Sequence, residues 1–82
     1  MATMSHYRIR CEWDDDAKVW YVADTDVAGL SAEAATQEAL VEKLRMMIPE
    51  LMALNTPAQN ASPEVPITLL WEREQELRVR TA

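Results

Sequence analysis

The chain carries one cysteine, Cys11, one glycine, Gly29, and one histidine, His6. A lone thiol forms no internal disulfide, which excludes a disulfide-stapled scaffold and fits a reducing, cytoplasmic setting. A lone histidine with no nucleophile or orienting carboxylate at a telling spacing gives no acid–base pair. His6 therefore reads as an exposed strand residue. Positive charge is also scarce. Eight Lys and Arg stand against fourteen Asp and Glu, a formal net charge of −6. Phosphate backbones repel such a domain, so direct nucleic-acid binding is not expected, whereas a basic protein is attracted. No apolar run approaches the roughly 18 residues that a membrane span needs. The start, Met1-Ala2-Thr3-Met4-Ser5, lacks the basic-then-apolar order of a signal peptide.

What is present fits one small domain. Of 82 residues, 49% are hydrophobic, too many for a disordered chain. A chain of this length buries only roughly 60–65% of its unfolded surface, so stability is modest and self-association would add to it. Residues 1–5 read as a disordered tail and 6–82 as a single α+β domain, with a proline-bearing connection over 55–66.

His6–Trp13 alternates. Tyr7, Ile9, Cys11 and Trp13 fall on one face, and His6, Arg8, Arg10 and Glu12 on the other, as in a half-buried strand. Asp14-Asp15-Asp16-Ala17 is a turn, and Lys18–Ala23 a second strand. A four-residue loop at 14–17 pairs Trp13 with Lys18, Cys11 with Trp20, Ile9 with Val22 and Arg10 with Tyr21. Gly29 marks a special backbone conformation in the connection that follows. Leu30–Ala34 is a short third strand. Thr36 is an N-cap, and Gln37–Leu54 a helix whose Leu40, Val41, Leu44, Met47, Ile48, Leu51, Met52 and Leu54 fill one arc. Pro49 lies inside it and is expected to kink or restart it. Ile67, Leu69 and Trp71 alternate with Thr68, Leu70 and Glu72 as the last strand. The alternating tail Glu76–Arg80 either extends it or folds back as a hairpin, and extension is favoured because no Gly or Pro marks a turn. The order strand, strand, strand, helix, strand predicts a two-layer α+β domain with an antiparallel sheet and the helix on one face.

The chemistry-bearing residues favour structure over catalysis. Asp14, Asp15 and Asp16 lack the spacing, central glycine and distal Glu of a calcium loop and read as a solvated turn. Asp24, Asp26 and Glu33 could serve a metal-assisted nuclease only if one face held them together. Cys11 alternates with core residues and reads as a buried apolar group. Trp13, Trp20 and Trp71 read as core rather than as a platform for bases. No cofactor or metal is expected. Arg8, Arg10 and Tyr21 share the face away from the helix, and these residue types are enriched at protein–protein hot spots. The helix arc is wider than one sheet face needs, so a homodimer or higher oligomer is expected, with Val41, Ile48, Met52 or the Arg10–Tyr21 face in contact.

Several segments carry a family resemblance: Cys11-Glu12-Trp13-Asp14, Val19-Trp20-Tyr21-Val22-Ala23, Asp24-Thr25-Asp26-Val27-Ala28-Gly29-Leu30, Glu33-Ala34 and Thr36-Gln37-Glu38-Ala39-Leu40, then Lys43-Leu44, Ile48-Pro49-Glu50-Leu51 and Asn55. Over Tyr7–Asn55 the sequence resembles a small group of uncharacterised bacterial domains allied to the HicB antitoxins. The resemblance implies a reduced ribonuclease-H-like fold without its active site. It also implies a non-catalytic antitoxin, or a protein derived from one, that masks a HicA-like toxin, a small basic RNA-cleaving protein. The tail Arg73–Ala82 is too short for the DNA-binding unit that such antitoxins usually add. The competing expectation is a stand-alone homo-oligomeric domain that binds a small regulatory ligand, and the third is a nuclease remnant.

Overall fold

The computed structural model describes residues 7–55 and 65–81. The expectations for residues 1–5, for His6 and for most of the 55–66 connection lie outside the described residues. Four strands and one helix follow one another: β1 (Tyr7–Asp14), β2 (Val19–Thr25), β3 (Glu33–Ala34), α1 (Gln37–Asn55) and β4 (Ile67–Glu72). The sheet order is β3-β2-β1-β4.

The sheet is mixed, which corrects the expectation of an antiparallel one. β1 pairs antiparallel with β2, and β2 with β3, but β4 runs parallel to β1. Connectivity explains the direction. Two tight reversals make β3 point the same way as β1. One helix then carries the chain back to the end where β3 began, so the next strand repeats β3's direction.

The hairpin register is also shifted. The pairs are Asp14–Val19, Trp13–Trp20, Glu12–Tyr21 and Cys11–Val22, one residue further along each strand than expected. The first aspartate of the acidic run belongs to β1, and its side chain organises the turn. Asp14 Oδ1 accepts from the backbone N–H groups of Asp16 at 3.0 Å and Ala17 at 3.1 Å. The Asp14 carbonyl accepts from Lys18 N at 2.7 Å, and Lys18 adopts a left-handed φ of 59°. Moving the loop to residues 15–18 shifts each pair by an even step, so every side chain keeps its face. A bulge between Arg10 and Cys11 then sets Arg10 opposite Asp24 and Ile9 opposite Thr25.

Gly29 has a φ of +82°, inside a turn that Leu30 N closes onto the Val27 carbonyl at 3.2 Å. A positive φ at the third turn position is the reason for glycine there. Only Glu33–Ala34 of the expected third strand pairs as strand. Thr36 caps α1 as expected: its Oγ1 accepts from Ala39 N and its carbonyl from Leu40 N, both at 3.0 Å. The helix continues unbroken through Pro49, so it does not restart there. After Glu72 the tail forms no strand, against the expected extension of β4. Glu72 pairs with Glu12, so only Trp13 and Asp14 of β1 remain before its hairpin, too little strand to carry the whole tail.

One core lies between α1 and the sheet: Ile9, Cys11, Trp20, Val27, Leu30, Ala34, Leu40, Leu44 and Ile48. The helix backbone comes nearest to β2 and β3. Over β1 and β4 the aromatic rings do the covering. Trp20 meets Trp13 edge-on at 5.5 Å between ring centroids and Trp71 at 5.3 Å. Cys11 sits in register between Val22 and Trp71. Its small side chain leaves the rings of Trp20 and Trp71 free to meet across the central strand.

Candidate binding surface

β-strand alternation sends even-numbered β1 and β4 side chains to the face opposite α1. Across that face run Thr68, Leu70 and Glu72 of β4, then Arg8, Arg10, Glu12 and Asp14 of β1. Val19, Tyr21 and Asp24 of β2 and Glu33 of β3 complete it. Among the described residues no element packs over this face. Arg10, Glu12, Val19 and Tyr21 are half-buried by their neighbours, while Leu70 is 44% exposed.

The structure places Arg8, Arg10 and Tyr21 on this one face, as expected, but gives Arg10 different company. Its Nη1 donates to Glu12 Oε2 and reaches Glu72 Oε1 at 3.5 Å. Tyr21 lies opposite Glu12 and Glu33 rather than Arg10. The arginine stacked on a ring is Arg73, 4.7 Å above the Trp13 centroid on the helix side. Glu12 and Glu72 are the residues of this surface that sequence reasoning missed. Alternation put Glu12 on the face, but only the parallel docking of β4 brings Glu72 to Arg10. The ion pairs are half-exposed, so each is worth roughly 0.2–1 kcal/mol and serves mainly to orient the guanidinium.

Val41, Ile48 and Met52 are not brought together as a free contact. Ile48 is buried in the core and Met52 packs against it. Val41 lines a shallow, open depression with Gln37, Glu38, Glu42, Arg45 and Trp71.

Of the carboxylates singled out in the sequence, Asp24 and Asp26 hold the backbone. Asp26 Oδ2 accepts from Arg8 N at 2.9 Å, and Asp26 N donates to the Arg8 carbonyl at 3.1 Å, prolonging the β1–β2 ladder. Asp24 Oδ1 accepts from Thr25 N at 3.0 Å. Glu33 lies on β3, where its carbonyl accepts from Lys43 Nζ at 2.6 Å and ties the helix to the sheet edge. Among the described residues no group of three His, Cys, Asp or Glu could hold a metal ion. Cys11 is fully buried, and burial pushes its thiol pKa up, away from the reactive thiolate.

Asp15 titrates below the usual carboxylate range. The hydrogen bond from Trp13 Nε1 at 3.2 Å is the larger cause, followed by Lys18 Nζ at 3.1 Å. A depressed folded value means that this group stabilises the hairpin above its ordinary pKa, and that the contribution fades as pH falls through the depressed value. Trp13→Phe removes the first donor, so the Asp15 carboxyl should titrate closer to an ordinary aspartate. An NMR titration of the side chain checks this, and an unchanged midpoint refutes the assigned cause.

A small α+β domain with one filled core and one open, carboxylate-rimmed sheet face is the class that the geometry defines. The chain belongs to the DUF1902 family, a domain of unknown function, whose pattern matches residues 6–81. It is similar to the hypothetical protein TTHA1013 of the extremely thermophilic bacterium Thermus thermophilus, known from its crystal structure. Identity is 37% and the TM-score 0.63, covering 92% of this chain and all of that one. No protein of curated function matches. No helix among the described residues is long and apolar enough to cross a membrane.

Proposed function

We propose that the chain is a non-catalytic, HicB-like protein-binding domain whose open sheet face takes a small basic partner, a HicA-like RNA-cleaving toxin. The observation that carries this reading is the composition of that face. Tyr21, Val19 and Leu70 offer apolar contact, Arg10 is held in place by Glu12 and Glu72, and Asp14, Asp24 and Glu33 complete an acidic rim. An aromatic anchor and an arginine inside a ring of charge is a recurrent hot-spot arrangement. The net charge of −6 adds long-range attraction for a cation-rich partner.

The test is co-expression with the small basic protein of a neighbouring gene. A stable complex that silences RNA cleavage is expected. Tyr21→Ala should cost about 2 kcal/mol, roughly a 30-fold weaker complex, mostly through faster dissociation. Wild-type affinity in that variant removes the open face from the interface. The absence of any complex overturns the reading as a whole.

A further inference from the structure

The tail after β4 is a strand in pattern without a partner. Residues 73–81 are exposed along their length, with Leu77 at 78% and Val79 at 69%, and no described strand pairs with them. The segment is extended enough for alternate side chains to meet on one side: Arg78 Nε donates to Glu76 Oε1 at 2.9 Å, two residues apart. Glu74, Glu76, Arg78 and Arg80 thus form one row, and Gln75, Leu77 and Val79 the other. The segment leaves directly from β4, an edge strand of the sheet. Exposed backbone groups beside alternating side chains make a template for another strand.

We propose that residues 73–81 pair antiparallel with the same segment of a second copy of this chain, about a two-fold axis through Leu77. The sequence is self-complementary in that arrangement and in no neighbouring one. Leu77 meets Leu77 of the second copy, Gln75 meets Val79, Glu76 meets Arg78, and Glu74 meets Arg80, with each unlike pair occurring twice. Slipping the register by two residues puts Glu76 against Glu76 or Arg78 against Arg78 on the axis. Slipping it by one sets charges against Leu77 and Val79, because directly opposed residues share a face. A parallel pairing in register opposes every charge with itself. Opposite charges across strands stabilise and like charges destabilise, so the charge pattern selects the two-fold antiparallel register. The contact uses neither the open sheet face nor the helix, and leaves both free for a partner. Its area is small, so the dimer should be of the weak, reversible kind.

Sedimentation velocity of the full chain from micromolar to millimolar concentration reads the association directly. A concentration-dependent dimer, weakened by high salt, is expected. The double variants E74R/E76R and R78E/R80E should each be monomeric, because each opposes like charges. Mixed together they should form a heterodimer of wild-type strength. Leu77→Cys should give a disulfide-linked dimer under mild oxidation, since opposed antiparallel positions lie within disulfide reach and the buried Cys11 stays silent. Both charge variants change only exposed tail residues, and an unchanged far-UV circular dichroism spectrum confirms the fold. A wild-type chain that stays monomeric throughout overturns the proposal. So does a dimer that survives either charge reversal.

Discussion

Leu40→Ala should destabilise the domain by about 3 kcal/mol, within the range for leaving a cavity where a core leucine stood. Leu40 is 0% exposed and lies one turn into α1, against the sheet. It is held from three sides. Thr36 fixes the helix start four residues before it, Leu44 and Ile48 continue its row, and the buried sheet residues Ile9, Cys11, Trp20 and Ala34 belong to the same core. None of these can move in without lifting the helix from its cap, so the cavity persists. A domain of this size has only about 4–12 kcal/mol of total stability. The melting temperature should fall by roughly 12–24 °C, at about 4–8 °C per kcal/mol. Met46→Ala and Leu54→Ala are the controls on the same helix. Their side chains are 75% and 83% exposed and should cost about 0.5 kcal/mol or less. Thermal unfolding of the three variants checks the set. Equal losses would mean that α1 does not pack on the face described.

Trp20→Ala should cost more, about 4 kcal/mol. Trp20 is the hub of the ring cluster: both Trp13 and Trp71 meet it edge-on. Its loss empties the place where three strands share one side-chain layer, and both edge-on contacts go with it. Such contacts add roughly 0.5–1.5 kcal/mol each beyond burial. Trp20 belongs to the same buried core as Leu40, Leu44 and Ile48, so its loss leaves a void in the layer between helix and sheet. Denaturant unfolding measures the cost. Near-UV circular dichroism should lose most of its aromatic signal even where the variant still folds. Trp13→Ala should cost less, because Trp13 is only partly buried and touches one ring of the cluster. If Trp13→Ala proves the more damaging, the hub is misassigned.

The open sheet face and the tail make separate demands on the same molecule. Tyr21→Ala bears on the face and leaves the tail pairing intact, while the charge reversals at 74–80 do the opposite. If Tyr21→Ala dissolves the homodimer instead, the face itself is where copies meet.

Much of the fold was determined by sequence through local pattern. The alternation from Tyr7 to Trp13 set which β1 residues enter the core, and the leucine spacing after Thr36 set the length of α1 and its inner face from Leu40 to Met52, whereas Leu54 of the same expected arc is exposed. Both periods are properties of a single element, fixed by backbone geometry. The hairpin faces survived a shifted loop for the same reason, since the slip preserved side-chain parity. The direction of β4 was misread as antiparallel from the element order, although a strand after one returning helix repeats the direction of the strand before it. Its position does not follow from order. Nothing local distinguishes an edge beside β1 from one beside β3, and the edge taken, where Trp71 also meets Trp20, is what carries Glu72 to Arg10. Pairings between residues 62 positions apart depend on how elements dock, and docking is decided by the summed burial of the core rather than by any residue in it. The tail shows the same division. Its alternating charges and apolar residues were legible, but how little of β1 remained beyond it to pair with was settled only by the register in which β4 docks on β1.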